Sequence, residues 1–210
     1  MHLLLTDILT CPRCGPEFGL ILLAHDMRDR RVLHGWMGCA HCRSKWLVQD
    51  GFGEFRAPLG SDVVDAGATH VAEASGEEAV RIAALLGVTE GPAFVLVAGP
   101  AARHAAAVAE LVEDLEVIAA DPALAVLAEA HGVSRIASGE RLPFYSAKLR
   151  AVWLDGAVAN TLLEEGARVL WPLGRLVLDP APQDAEERLA AAGMRVLALE
   201  DTTLLAVREP

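Results

Sequence analysis

Four cysteines, all in the first quarter of this 210-residue chain, limit its fold more than any other feature. They form two C-x-x-C pairs, Cys11 with Cys14 and Cys39 with Cys42, with 24 residues between the pairs. Each pair can form a tight turn that presents two sulfurs on one side of the backbone, and Gly15 follows the first pair where a positive φ is often needed. Four thiolates satisfy the tetrahedral coordination of zinc, and a closed set of protein ligands is typical of a structural metal. The sequence therefore predicts one structural zinc bound by Cys11, Cys14, Cys39 and Cys42.

Two other roles for these cysteines are less favoured. Disulfide bonds need an oxidising compartment, and residues 1–9 lack the basic region and the small-residue cleavage site of a signal peptide. Redox catalysis usually uses one C-x-x-C motif near a βαβ unit. Reduced thiols and the missing export signal predict a cytoplasmic location, and no apolar run reaches the ~18 residues of a membrane span.

The residues around the cysteines indicate a small antiparallel sheet. Strands are predicted at 18–24, 32–37 and 45–49, with a polar turn at 25–30 and the turn dipeptide Asp50-Gly51 at the end. Two cysteine turns on such a sheet make a zinc ribbon. A unit this small has little core, so metal binding, worth on the order of 10 kcal/mol in zinc peptides, would supply much of its folding free energy.

The segments 8–15 and 39–51 resemble the Trm112-like zinc-ribbon family. The resemblance covers about residues 3–55, although Trp46-Leu47-Val48 stands where that family commonly has Tyr-Pro-Ile. In the family the ribbon is a partner or regulatory module of methyltransferases and is sometimes fused to one. The resemblance implies a protein partner, either a methyltransferase or a second copy of this chain, bound through the ribbon.

The second half of the chain alternates strands and helices. Ser75 and Glu78 form a capping-box pattern at the start of a helix predicted over 76–86, with Val80 on its apolar side. The alternation predicts a doubly wound, Rossmann-like α/β sheet, and two final strands joined by a short turn predict an antiparallel hairpin. The predicted strands are 93–98, 117–120, 134–137, 151–154, 175–178, 195–199 and 203–207, and the further helices are 101–115, 122–131, 158–168 and 184–192.

Three segments resemble class I S-adenosylmethionine-dependent methyltransferases: 95–105, 139–144 and 170–178. The resemblance covers about residues 75–207, and it implies S-adenosylmethionine as a possible ligand at the carboxyl ends of the strands. The chain is therefore predicted to consist of a zinc ribbon (1–56), a linker (57–74) and a methyltransferase-like Rossmann domain (75–210).

The same resemblance assigns four cofactor-binding residues, Gly99, Asp121, Ser138 and Glu140. Gly99 opens a turn that is normally glycine-rich so that its backbone can approach a ligand. Asp121 follows the second strand, where it can accept hydrogen bonds from a ribose or, since a proline follows, cap the next turn. Ser138 stands where the family has an adenine-contacting acid, and Glu140 belongs to the 139–144 segment.

Several of the family's polar positions have changed in this chain. The turn reads Gly99-Pro100-Ala101-Ala102, in which the proline removes an N–H and the methyl groups crowd a ligand. Val97 stands where an acid helps to hold the methionine end of the ligand, and Arg150 replaces the acid of an F-D-x-V segment. No motif assigns a catalytic residue, and Asp155 can be a base or a capping residue.

Two functions follow from these departures. The first is a zinc-binding, methyltransferase-like protein that is degenerate in cofactor binding and acts as a binding or regulatory module. The alternative is an active methyltransferase with an atypical cofactor loop, and a different small ligand in the same cleft is a third reading. Residues 59–210 hold 23 Asp/Glu against 11 Lys/Arg, and because an acidic body repels phosphates, a nucleic-acid partner is disfavoured.

Overall fold

A computed structural model describes residues 1–61 and 71–210 of the chain. The middle of the predicted linker, residues 62–70, lies outside the described residues. Within the described ranges, no helix is long and apolar enough to cross a membrane. The strands are β1 (Thr10–Cys11), β2 (Gly15–Arg28), β3 (Arg31–Cys39), β4 (Lys45–Gln49), β5 (Phe52–Glu54), β6 (Ala93–Ala98), β7 (Leu115–Ala120), β8 (Val133–Ala137), β9 (Leu149–Asp155), β10 (Leu170–Asp179), β11 (Met194–Glu200) and β12 (Thr203–Arg208), and the α-helices are α1 (Gly76–Leu86), α2 (Ala105–Glu110), α3 (Gly156–Val169) and α4 (Ala185–Ala191).

The strands form one sheet in the order β1-β2-β3-β4-β5-β8-β7-β6-β9-β10-β12-β11. The strands from β5 to β10 in that order run parallel, whereas β11 and β12 form an antiparallel hairpin beside β10. Apolar residues of α1 and α2 pack on one face of the parallel strands, and those of α3 and α4 pack on the other. The predicted α/β fold with a C-terminal antiparallel hairpin is confirmed.

Strand β5 joins the ribbon to the parallel sheet, and the sequence analysis missed it. The turn at Asp50 and Gly51, both with positive φ, returns the chain antiparallel to β4. The outer side of β5 then pairs in parallel with β8, with Gly53 opposite Ile136. The N–H of Phe55 extends this ladder by donating to the carbonyl of Ala137 at 2.8 Å. The ribbon strands and the parallel strands are therefore neighbours in a single hydrogen-bonded sheet.

Two arginines connect the ribbon to the strands beyond it. The Arg31 guanidinium donates to Glu129 (2.6 Å), to Glu116 (3.2 Å) and to the carbonyl of Val133. Arg135 on β8 donates to the carbonyl of Asp50 at 2.5 Å. The two guanidinium groups together donate hydrogen bonds to carboxylates and carbonyls that are shielded from water. Buried polar groups need such partners.

The end of the β2–β3 hairpin and two helices differ from the prediction. Strand β2 continues to Arg28, and the turn lies at Asp29 and Arg30, which both have positive φ. The helix predicted over 101–115 is a 3-10 turn followed by the short α2. The helix predicted over 122–131 is only a 3-10 turn, Pro122–Val126. Its carbonyls at Leu124 and Leu127 accept hydrogen bonds from the Arg135 guanidinium, which holds this segment outside a helical ladder.

Helix α1 has the predicted bounds, but only half of its predicted capping box. The Ser75 side chain accepts from the Glu78 N–H, whereas the Glu78 carboxylate pairs with Arg81. The Ser75 N–H donates instead to Nδ1 of His104. The prediction for Val80 is wrong, because Val80 is exposed and the helix buries Ala79, Ile82 and Leu86.

Candidate functional site

The four cysteine sulfurs converge at one end of the ribbon. Cys11 ends β1 and Cys39 ends β3, and a tight turn after each supplies the second sulfur of its pair. All four Sγ atoms lie within 4.8 Å of one another. The Cys11–Cys42 distance is 3.7 Å and the Cys14–Cys39 distance is 3.9 Å. Sulfurs about 2.3 Å from a central zinc would be about 3.8 Å apart in a tetrahedron, so the cluster has the dimensions of a zinc site.

The same distances exclude disulfide pairing of the cysteines in this structure, since bonded sulfurs are about 2.05 Å apart. All four thiols are free. The N–H of Cys14 donates to the Cys11 sulfur at 3.2 Å, an arrangement that stabilises a thiolate. His41 lies in the second turn but stacks on Phe18 at 4.5 Å, and it is outside the sulfur cluster. The donor set therefore fits zinc, which would be held by Cys11, Cys14, Cys39 and Cys42.

The turn after β6 lies at the carboxyl end of the parallel strands and is closed by a neighbouring side chain. Gly99 has φ 84° and ψ −165°, a conformation open to glycine. A Cβ at Gly99 would lie 2.9 Å from the Cβ of Asp155. The Asp155 carboxylate, from the end of β9, accepts a hydrogen bond from the Ala101 N–H at 2.9 Å. Asp155 thus acts as a cap for the β6 turn.

The other predicted cofactor residues follow the neighbouring strands. Asp121 ends β7, and its Oδ1 accepts from the Ala123 N–H at 2.8 Å, which is the capping role. Ser138 follows β8 and is half-buried, whereas Glu140 is exposed. Gly99, Asp121 and Ser138 therefore lie at the same end of three adjacent strands, and their role in cofactor binding stays a prediction.

Val97 and Arg150, which differ from the methyltransferase pattern, lie in different parts of the sheet. Val97 is fully buried within β6 and contributes to the core. Arg150 lies at the start of β9, since Ala151 pairs with Val95 near the start of β6. Arg150 is therefore at the amino end of the sheet, stacked over Trp171, and has no bearing on a ligand at the carboxyl end.

His104 is a buried polar residue just after the β6 turn. It is 1% exposed, and its Nδ1 accepts from the Ser75 N–H, so Nε2 carries the proton of the neutral ring. Within the described part of the chain, Nε2 has no hydrogen-bond partner. Burial, followed by the charge of Arg103, lowers the pKa of His104. In the sequence, the alanine-rich segment after Gly99 was the one sign that His104 is buried.

Comparisons with known proteins bear on the fold. No protein-family model matches the sequence, and a comparison with curated proteins finds no match. The [4+2]-cyclase SpnF matches with a TM-score of 0.54 and 15% identity, over 64% of this chain and 80% of the SpnF chain. The tRNA (m1A58) methyltransferase TrmI from Aquifex aeolicus matches with a TM-score of 0.48 and 12% identity, over 68% and 71% of the two chains. A chain from a complex containing the Haloferax volcanii Trm112 methyltransferase activator matches with a TM-score of 0.47 and 17% identity, over 62% of this chain and 87% of that chain.

At these identities the comparisons show the fold alone. The SpnF match supports the arrangement of the parallel sheet and its flanking helices. The chain therefore has a mixed α/β fold, with parallel strands and a C-terminal antiparallel hairpin, and it carries an N-terminal cluster of four cysteines with the spacing of a metal site.

Proposed function

We propose that this protein is a zinc-stabilised, methyltransferase-like binding or regulatory module whose own residues close the cofactor position. The observation that carries the proposal is the hydrogen bond from the Ala101 N–H to the Asp155 carboxylate. A glycine-rich turn binds a ligand through free N–H groups and close backbone approach. Here one such N–H already has a partner within the protein.

Four further features in and around this turn support the proposal. Pro100 has no N–H to offer, and the Ala102 N–H donates to the carbonyl of Gly99 at 2.9 Å. Val97 provides no carboxylate for the amino group of a methionine moiety. The Asp121 carboxylate caps the turn that follows it. The residues present therefore fit S-adenosylmethionine poorly, and we assign no methyl-transfer step to them.

Calorimetric titration with S-adenosylhomocysteine tests this proposal. We expect no saturable heat with the zinc-loaded protein at millimolar ligand. A single-site isotherm in the micromolar range would overturn the proposal in favour of the active enzyme. In that case Asp121→Asn should weaken binding, while Glu113→Gln, an exposed acid at the opposite end of β7, should leave it unchanged.

The proposed regulatory role also depends on which partner the ribbon binds. The β5 edge already pairs with β8, so we infer that the methyltransferase-like partner of this ribbon is the second half of the same chain. A second copy would use the outer ribbon face, where Ile21 and Leu23 are 59% and 48% exposed. Sedimentation velocity of the protein and of Leu23→Ser tests self-association: a loss of dimer in the variant supports it, and a monomer at all concentrations refutes it. The four free thiols support the predicted cytoplasmic location.

A further inference from the structure

A cleft of about 590 Å³ lies at the amino end of the parallel strands, opposite the cofactor position. Its walls are the starts of β6 and β7, the residues before β8, the N-terminal segment and the tip of the β2–β3 hairpin. Ligand sites commonly have volumes of about 300–1,000 Å³ and form where structural units meet. The cleft meets both conditions, and none of the four cysteines or the β6 turn lines it.

The inner end of the cleft offers hydrogen-bond acceptors. Glu116 is 8% exposed, and its carboxylate accepts from the Ser134 hydroxyl at 2.6 Å and from Arg31 at 3.2 Å. His2 also lines the cleft, and its buried Nδ1 has no partner within the described part of the chain. Burial lowers the pKa of His2, and the charges of Arg31 and Arg30 add to this effect although Glu116 opposes it. The neutral ring has one nitrogen free to accept a hydrogen bond.

The rim of the cleft carries more carboxylates than cations. Asp29 and Asp114 line it, and in the residues described neither has a side-chain partner. The charges of Arg31 and of the Met1 ammonium are together matched by Glu116 and Glu129, which leaves Arg30 as the cation at the rim. The side chains of Leu4, which is 44% exposed, and Phe94 supply an apolar wall.

We propose that this cleft binds a small primary amine with an apolar body. A primary ammonium has three N–H donors and needs acceptors that converge from different sides. His2, Glu116 and Asp114 are acceptor residues that line the cleft, and Leu4 and Phe94 line it with apolar surface. The net charge of −11 attracts a cation from solution, whereas it repels a carboxylate.

The test uses 2-phenylethylamine and, as its charge-reversed match, 3-phenylpropionate. Each is titrated into the zinc-loaded, isotopically labelled protein while backbone amide shifts are recorded. We expect saturable shifts for Leu115, Glu116 and Gly132 with the amine and none with the carboxylate. Saturation by the carboxylate alone, or shifts spread over the acidic surface without saturation, would overturn the proposal.

Three variants test the polarity of the site. Asp114→Asn should weaken amine binding by about 2- to 5-fold, the range of a partly exposed charge pair. Glu113→Gln, the neighbouring acid outside the cleft, should change it by less than the error. Arg30→Gln should strengthen amine binding, because it removes the opposing charge. Equal effects of Asp114→Asn and Glu113→Gln, or weaker binding in Arg30→Gln, would refute the assignment.

Discussion

The cysteine cluster and the turn after β6 belong to the same sheet, but they differ in how well their residues suit a ligand. All four sulfurs of the cluster lie within 4.8 Å of one another, at the spacing that a tetrahedral metal needs. The β6 turn keeps one glycine, and Asp155 occupies its Ala101 N–H. The four sulfurs have the spacing to bind a metal, whereas the Ala101 N–H of the β6 turn already donates to a side chain of the protein.

The difference follows from what each kind of site requires. A metal site depends on the presence of four side chains, and two short turns are enough to bring them together. A nucleotide-type turn depends on the absence of side chains and on N–H groups left without partners. When side chains replace glycines in such a turn, the ligand can no longer approach the backbone, but the fold of the turn is kept. A metal bound by the cluster would, in contrast, hold together two turns of a ribbon whose buried residues, such as Trp46 and Val48, belong to the same core as the parallel strands.

Loss of one zinc ligand should have the largest effect. We expect Cys39→Ser to release the metal and unfold the ribbon, because zinc supplies on the order of 10 kcal/mol in isolated zinc peptides, as much as many domains have in total. Since β5 pairs with β8, hydrogen exchange should also accelerate at Val133–Ala137. Metal analysis and exchange mass spectrometry measure both effects.

The control for that experiment is His41→Gln. His41 lies in the same turn as Cys42 but outside the sulfur cluster, so this variant should retain one zinc per chain. Retention of a folded, metal-free ribbon by Cys39→Ser would contradict the role we give the metal. Loss of zinc in His41→Gln would show that the ligand set is different.

The Arg31 contacts test whether the two regions unfold together. Arg31→Gln removes the ion pairs with Glu116 and Glu129. The Glu116 side chain is only 11% exposed and would keep one donor, Ser134. We expect a loss of about 2–4 kcal/mol in the free energy of unfolding, somewhat below the cost of breaking a fully buried pair.

Chemical denaturation of Arg31→Gln measures this loss. The control is Arg28→Gln on the same hairpin, an exposed position with an expected change within about 0.5 kcal/mol. Two separate unfolding transitions in the parent protein would show that the ribbon and the parallel sheet are independent. Equal losses in the two variants would mean that the hairpin arginines act only through net charge.

Local sequence patterns predict most elements of the fold. The strands 45–49 and 93–98 and the helix 76–86 have the predicted bounds. Strand 45–49 and the helix have a clear apolar period, strand 93–98 is a continuous apolar run, and all three have clear end signals. The sulfur cluster was equally accessible, since C-x-x-C spacing fixes the ligands locally. These features depend on neighbours in sequence, which a single chain displays directly.

The features that the sequence did not reveal depend on distant partners. Strand β5 has three residues, and its pairing with β8 joins Gly53 to Ile136 across the fold. The segment after Asp121 has helical composition, but Arg135 binds its carbonyls. The cap on the Ala101 N–H comes from Asp155, 54 residues away. Tertiary hydrogen bonds of this kind override local propensity and leave no periodic signal.

The closure of the β6 turn can be tested by Asp155→Ala. The substitution leaves the Ala101 N–H without its acceptor, and we expect a loss of about 1–2 kcal/mol in the free energy of unfolding. If closure is what excludes a ligand, S-adenosylhomocysteine should raise the melting temperature of the variant more than that of the parent. Glu113→Ala, which removes an exposed acid at the opposite end of the sheet, is the control and should change neither quantity. A ligand-induced rise of the same size in parent and variant would contradict the closure.

His104 gives the smallest expected effect, a difference in pH dependence near the same turn. Its pKa in the folded protein is lowered by burial and by Arg103, with Glu78 opposing, so the unfolded chain binds the proton more readily. The stability that comes from the neutral ring is therefore present above the ordinary pKa of 6.5 and is lost as pH falls below it.

His104→Asn cannot titrate, yet its side-chain oxygen can accept from the Ser75 N–H as Nδ1 does. Between pH 7 and pH 5 we expect the melting temperature to fall further in the parent than in His104→Asn, with the exposed His25→Asn following the parent. Parallel profiles for parent and His104→Asn would mean that the buried ring is protonated without cost, and that its environment after the β6 turn is open to water.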